Sequence, residues 1–244
     1  MVITRLDDDA HFGSQDFIDT FTTSQTRLER LRECYQPVPY NPTPEGHQLT
    51  PDTLPSFPTV AMVSQAFKLN FWQHVMFEVC ARHLLYAYAI DIEEAADDGA
   101  FVSQNQAALY DIKPQLVGYL GGQTGTGKST VVEALLTMAR KWGREGSVET
   151  MAFTGAAAIN IHRKTMHSSR NLQLNGADPK SAPSSEMKAR FNRVALGKDD
   201  EISISPQALL GGTDIVSRSM SARPQKFMGG RHVLLIGDFL QLPP

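Results

Sequence analysis

The sequence predicts an α/β protein with a parallel sheet flanked by helices, and three stretches predict it. Leu116-Val117-Gly118-Tyr119-Leu120 is a short apolar run ending at Gly121, and beyond a glycine-rich loop Val131 to Ala139 carries a helical pattern. Val148 to Phe153 reads as a second strand, and Thr154-Gly155-Ala156-Ala157-Ala158 as the turn into a second helix. Val233-Leu234-Leu235-Ile236 is the clearest buried strand of the chain and runs straight into Gly237-Asp238. Strand and helix in alternation are the pattern of a sheet wound with crossovers. An acid at a strand's carboxyl end sits where such sheets place ligands.

The loop between the first strand and its helix reads Gly122-Gln123-Thr124-Gly125-Thr126-Gly127-Lys128-Ser129, followed by Thr130. It fits the phosphate-binding pattern GxxxxGK[ST] with a third glycine inside it. Glycines let the backbone close around phosphate oxygens, so that successive N–H groups face the anion where a side chain would block them. Lys128 then sets its charge against the β and γ phosphates. Ser129 offers a hydroxyl to a magnesium ion, and the helix opened here turns its positive dipole end to the same phosphates. The motif implies binding of a nucleoside triphosphate with Mg2+.

Composition sets the outer limits. The chain has 244 residues, 41% of them hydrophobic, with a net charge of −3 and a pI near 6.2. That balance carries no global basic signature, so a nucleic-acid contact has to come from a local groove. Cys34 and Cys80 are the only cysteines and lack metal-ligand or CxxC spacing; both read as structural thiols in a reducing compartment. Neither a signal peptide nor an apolar run of about 18 residues is apparent, which leads to the expectation of a soluble, intracellular protein that does not engage a membrane.

Three regions follow along the chain. In residues 1–36, Phe17, Phe21, Leu28, Leu31 and Tyr35 recur at helical intervals and suggest one amphipathic helix. Residues 37–58 hold seven of the 14 prolines and read as a linker. Residues 59–244 carry the chemistry. Asn70 leads into a mostly buried helix through Ala89, with His74, Glu78, Arg82 and His83 interspersed, and Asn70 and Gln73 have the spacing of a capping box. Asp91 to Gln106 are acidic and polar and read as a loop, and the Asn-, Gly-, Pro- and Ser-rich residues Asn171 to Pro183 read as another. Asp199-Asp200-Glu201 follow the apolar trio Val194-Ala195-Leu196 and, taken alone, read as a solvated acidic turn.

Taken in order, these pieces resemble the first motor domain of a superfamily-one DNA helicase of the petite-integration-frequency (PIF) type, including the helicases of Helitron transposons. The resemblance runs from Leu69 to the last residue: Leu69-Asn70-x-x-Gln73 with Phe77-Glu78 and His83-Leu84-Leu85, then the phosphate loop. Thr154-Gly155-x-Ala157-Ala158-x-Asn160-Ile161, Thr165-x-His167-Ser168 and Asp200-Glu201-Ile202-Ser203 come next. Gly229-Gly230 and Gly237-Asp238-Phe239-Leu240-Gln241-Leu242-Pro243-Pro244 complete it.

The resemblance implies a RecA-like phosphate-loop domain and assigns roles. Gln73 would read the adenine edge. Asp200 would hold magnesium opposite Ser129, and Glu201 would orient or deprotonate the attacking water. Gln241 would sense the γ phosphate and link it to DNA. Thr154 and His167 would face single-stranded DNA. The implied activity is ATP-dependent DNA unwinding with 5'-3' polarity, serving repair, recombination and telomere maintenance in the nucleus, with the mitochondrion as the alternative compartment.

The chain departs from the family pattern at two places before its end. Gly197-Lys198-Asp199 interrupts what should be an apolar strand before Asp200, so the carboxylates are expected to be less firmly held. Arg163 stands where the family has glycine. The chain also stops at Pro244, directly after the last large motif. Without a second motor domain it is expected to bind and slowly hydrolyse ATP and not to unwind DNA. The leading alternative is a non-catalytic nucleotide- or single-strand-binding remnant. A small-molecule phosphotransferase would require a lid sequence that is not seen.

Overall fold

The computed structural model describes residues 2–5, 49–96, 115–153, 164–172 and 182–239. The Phe17–Tyr35 periodicity, Cys34, the turn at Thr154 to Ala158, Arg163 and the stretch 240–244 lie outside them. The chain divides into two compact units, one of Met1–Thr4, Gln115–Lys128 and Gly146–Pro244, the other of Arg5–Pro114 and Ser129–Glu145.

The first unit is built on six strands: β1 (Val2–Arg5), β2 (Leu116–Gly121), β3 (Val148–Ala152), β4 (Lys164–Thr165), β5 (Leu196–Asp200) and β6 (His232–Gly237). They pair in the order β1-β2-β6-β5-β3-β4. The ladders β2–β6, β6–β5, β5–β3 and β3–β4 are all parallel. Val117 to Gly121 run beside Val233 to Gly237, and Val148 to Ala152 beside Leu196 to Asp200. This is the predicted α/β architecture, with all three predicted strands in it. The Gly197-Lys198-Asp199 sequence does not interrupt β5, which lies between β6 and β3 with ladder partners on both sides.

One face of the sheet is closed by three helices: α4 (Met166–Arg170), α5 (Ser185–Arg193) and α6 (Gln207–Met220). Met151, Met166, Leu172, Phe191, Leu209, Val216 and Met220 form its buried cluster. Two of the three start at a side-chain cap: Ser184 Oγ accepts from Met187 N at 3.2 Å, and Thr165 Oγ1 accepts from Ser168 N at 3.2 Å. Asn171, in the left-handed region at φ 52°, ends α4.

Within this apolar face sits an ion pair that the sequence did not announce. Arg170 donates through Nη2 to Glu149 Oε2 at 2.7 Å and through Nε to Ser217 Oγ at 3.2 Å. Ser169 Oγ donates to the other Glu149 oxygen at 2.8 Å, and Arg190 donates to Ser169 O at 3.0 Å. Burial alone would raise the Glu149 pKa, but Arg170, Ser169 and Arg190 more than offset it and hold the carboxyl below its ordinary value. The pair ties α4 to β3 and, through Ser217, to α6.

Beyond α6, Gly229 lies in the left-handed region at φ 67°, and a Cβ there would meet Ser221 Cβ at 2.5 Å and Ser217 O at 2.9 Å. Only glycine fits this approach, which explains one of the two glycines in the Gly229-Gly230 motif.

The second unit is helical. α1 (Val60–Ala66) is capped by Thr59 and packs on α2 (Phe71–Ala96), and α3 (Lys128–Lys141) belongs to this unit from Ser129 onward. Met76, Phe77, Cys80, Leu84, Leu85 and Tyr88 are buried, and burial pushes the Cys80 thiol up to about 12, as befits a structural cysteine. Polar residues of α1 and α2 form a local chain: Ser64 Oγ bonds His74 Nδ1 at 2.7 Å, Glu78 lies 3.5 Å from His74 Nε2, and Arg82 pairs with Glu78 at 2.8 Å. α2 runs six residues past Ile90 into the stretch read as an acidic loop, because Glu93-Glu94-Ala95-Ala96 are strong helix formers. Of the proline-rich segment, residues 49–58 are described and are docked: Trp142 Nε1 donates to Pro58 O at 3.1 Å and Lys141 Nζ to Leu54 O at 2.6 Å.

The buried pair gives a direct test. Arg170→Ala strips Glu149 of its main counter-charge inside the fold, and a loss of about 3–5 kcal/mol is expected. Urea unfolding followed by far-UV circular dichroism measures it.

Candidate nucleotide site

β2 ends at Gly121, and the chain turns at once into the glycine-rich loop that leads to Lys128, the first residue of α3. Gly125 and Gly127 take φ of 85° and 79°, which side chains resist, and a Cβ on Gly122 would meet Thr126 Oγ1 at 2.8 Å. Thr126 closes the turn by donating from Oγ1 to Gln123 O at 2.8 Å. Gln123, Thr124, Gly125 and Thr126 are exposed. The Lys128 ammonium folds back over the loop, bonding the Gly122 carbonyl and Gln123 O, the latter at 3.0 Å. Thus the loop residues from Gly122 to Lys128 stand together in one turn, with Ser129 and Thr130 continuing into the helix.

The parallel register brings further predicted residues to the same edge of the sheet. β2 ends in the loop, β5 ends in Asp200 and then Glu201, and β6 ends in Gly237 and then Asp238. Only β6 separates β2 from β5, so the loop's entry and Asp200 emerge about 10 Å apart, two strand spacings. Glu201 turns in the left-handed region, φ 58°, and opens a 3-10 turn over Ile202–Ile204, from which Ser203 Oγ accepts the Asp238 amide at 3.1 Å. The exposed Phe239 ring leans on Tyr119 with centroids 5.2 Å apart.

Asp200 is firmly held, contrary to the expectation from its irregular strand. One oxygen, Oδ2, pairs with the Lys198 ammonium, and the other, Oδ1, accepts the Glu201 amide at 3.0 Å. Asp200 thus carries an ammonium on one oxygen and an amide hydrogen on the other. Among the described residues there is no group of three or more His, Cys, Asp or Glu side chains able to hold a metal.

Lys198 and Asp199 are the residues that reading the sequence treated only as an interruption. Each is 1% exposed. Alternation along the strand sends Asp199 to the face opposite Lys198 and Asp200. There burial pushes its carboxyl up to about 6, with Arg170 and Lys198 pulling down and Glu149 pushing up. Its Oδ1 has no hydrogen-bond partner among the described residues. The period of two along Leu196–Asp200 was the signal that could have separated these roles.

His167 lies half-buried on α4. Its motif neighbours Thr165 and Ser168 cap that helix: Ser168 Oγ donates to Thr165 O at 3.1 Å in addition to the amide bond already described. In the helical unit, Asn70 and Gln73 form the reciprocal capping box, Asn70 N to Gln73 Oε1 at 2.9 Å and Gln73 N to Asn70 Oδ1 at 3.0 Å. Beside them Phe71 and Trp72 are exposed. Thr154 and Gln241 lie outside the described residues.

A glycine-rich loop between a parallel strand and a helix, with an Asp-Glu pair at the end of a strand of the same sheet, defines a RecA-like phosphate-loop domain. Residues 102–244 match the family described as PIF1-like helicase, and the chain belongs to that family. The ATP-dependent DNA helicase PIF5 of Trypanosoma brucei brucei is 32% identical over 135 residues, which cover 52% of this chain and 14% of that protein. The ATP-dependent DNA helicase PIF1 of Saccharomyces cerevisiae is 34% identical over 129 residues, 50% of this chain and 15% of that protein. Among solved structures, Bacteroides Pif1 bound to single-stranded DNA is 24% identical, with 59% of this chain and 34% of that one covered, at a TM-score of 0.46. The chain spans about one seventh of the length of these two curated relatives.

Asp199 yields a pH prediction. Its folded value, about 6, lies above the ordinary 3.8, so the native state binds this proton more tightly than the unfolded chain. The group therefore favours folding at low pH, and that contribution is lost as pH rises through about 4 to 6. Asp199→Asn should raise stability at pH 7.5 by on the order of 1–3 kcal/mol and flatten the pH profile across that window. Denaturation midpoints from pH 4 to 8 measure both.

Proposed function

We propose that this chain binds ATP through its phosphate loop and serves as one half of an ATP-driven DNA helicase motor. The observation that carries the proposal is the loop from Gly122 to Lys128, folded with its lysine over its own carbonyls, on the edge of the sheet where Asp200 and Glu201 emerge. Family membership and the names of its relatives support the remainder.

In this reading the nucleotide's β and γ phosphates exchange with the Gly122 and Gln123 carbonyls as partners of Lys128. The loop amides and the amino end of the 14-residue helix α3 add their partial positive charge. Glu201 is the candidate for orienting and deprotonating the attacking water. Gln73 is the candidate for reading the adenine edge. Ser129 stays the candidate for magnesium, and no step is assigned to a metal on Asp200. Single-stranded DNA is the proposed polymer partner, with His167 as its contact and Thr154 and Gln241 as further candidates. The proposal extends to 5'-3' movement, to DNA repair, recombination and telomere maintenance, and to the nucleus as the site of action. No helix among the described residues is long and apolar enough to cross a membrane.

A second reading, a nucleotide- or DNA-binding module without turnover, is favoured by one observation, the ion pair that occupies Asp200.

ATP hydrolysis by the purified chain, with and without single-stranded DNA, decides between them. DNA-stimulated turnover lost in Lys128→Ala supports the motor; nucleotide binding with no turnover supports the binding module. Lys128→Ala is expected to abolish nucleotide binding, and equal affinity in the two proteins defeats the phosphate-loop reading. Glu201→Gln is expected to keep binding and lose whatever hydrolysis is present. His167→Ala should weaken binding of an oligonucleotide in fluorescence anisotropy while nucleotide affinity stays unchanged.

A further inference from the structure

We infer that Lys198 is a resident cation for Asp200, holding the position on this carboxylate where a phosphate-loop ATPase would carry magnesium, so that this acid does not make the nucleotide site selective for the magnesium complex. The inference rests on the reading that the loop binds ATP.

Three observations lead to it. Lys198 and Asp200 are two residues apart on β5 and therefore project from the same face of the sheet. The Lys198 side chain is 1% exposed and its ammonium is paired with Asp200 Oδ2, whereas Asp200 itself keeps 26% exposure. The cation is thus the enclosed partner and the acid the one that reaches toward solvent. β5 is paired on both sides, with Lys198 in register with Leu234 of β6 and Thr150 of β3, so the lysine stem rises from between two strands and neither registered neighbour is an acid.

An ammonium buried to this degree is held by its counter-ion, because leaving it unpaired in a low-dielectric setting is costly. A divalent ion on Asp200 would have to approach a carboxylate already neutralised on Oδ2 and already accepting an amide hydrogen on Oδ1. Magnesium demands near-octahedral oxygen ligation and dehydrates reluctantly, which makes such a half-neutralised carboxylate a poor ligand. Its repulsion from the ammonium acts at short range inside the protein, where charges are screened little. Lys198 is in this sense a specificity-determining residue, tuning which form of the nucleotide the site accepts.

The test is equilibrium binding of a fluorescent ATP analogue to the whole chain, in magnesium at about 5 mM and in EDTA, which withdraws the divalent ion. Four proteins are compared: wild type, Lys198→Met, Lys198→Arg and Asp200→Asn, with Lys128→Ala as the control for the loop. For wild type and Lys198→Arg, affinities within about 3-fold of each other in the two buffers are expected, and for Lys198→Met a preference for magnesium of about 10-fold or more. Asp200→Asn should leave the wild-type ratio unchanged, which keeps the inference testable if Lys198→Met does not fold. A wild-type preference of about 10-fold for magnesium that Asp200→Asn abolishes overturns the inference, since Asp200 would then be holding the metal. Nucleotide affinity that is the same in wild type and Lys128→Ala is a different failure, that of the phosphate-loop reading itself, and removes the ground on which the inference stands.

Discussion

The parallel ladder from β2 through β6 and β5 to β3 is the constraint on which the chemistry of the first unit depends. Parallel strands in register end together, so one geometric fact delivers the phosphate loop, Asp200 with Glu201, and Asp238 to a common edge. No side-chain contact among these residues is needed to assemble them; the backbone hydrogen bonds do it. The tight turns that follow each strand, a left-handed Glu201 and the glycines of the loop, then direct the chain away from the edge with its polar groups presented outward.

Electrically the same sheet is unusual in carrying charge on both faces of one central strand. Asp199 faces the Glu149 and Arg170 side, and Lys198 faces the Asp200 side, within a five-residue strand whose apolar anchor is Leu196. Charges of this kind do not add stability by being paired; pairing offsets what burial costs. What they add is definition. Arg170 reaches β3 and α6 at once, so the short helix α4, only five residues long, gains its place from a side chain rather than from its own hydrogen bonds.

Much of this arrangement was legible in the sequence, for physical reasons that differ by element. Val233 to Ile236 and Leu116 to Leu120 are apolar runs that nothing but a buried strand explains, and the phosphate loop encodes its backbone shape in its glycines. The Asn70 and Gln73 capping box was legible because capping is local, decided within four residues. β5 was harder, since Gly197-Lys198-Asp199 has no apolar signature and is held in the sheet by partners distant in sequence on β3 and β6. The Glu149–Arg170 pair joins residues 21 apart and has no local trace. The end of α2 was misjudged because acidity was weighed above helix propensity at Glu93 and Glu94. Thr165 and Ser168 show the opposite hazard: in the sequence they belong to a motif, and in the fold their hydroxyls are occupied in capping a helix.

Trp142 is buried against Phe57 and Tyr88, and Trp72 stands 66% exposed at the start of α2. These are the only two tryptophans of the chain, and both belong to the helical unit. Intrinsic fluorescence is therefore a one-sided witness. Its emission reports the surroundings of the helices, one indole sheltered and one in water, while the sheet that bears the phosphate loop and the acidic pair is optically silent in that channel. An unfolding curve recorded at tryptophan wavelengths follows the helical unit alone, whereas one recorded from the backbone signal follows both units, and any gap between them is information about how independently the two units unfold.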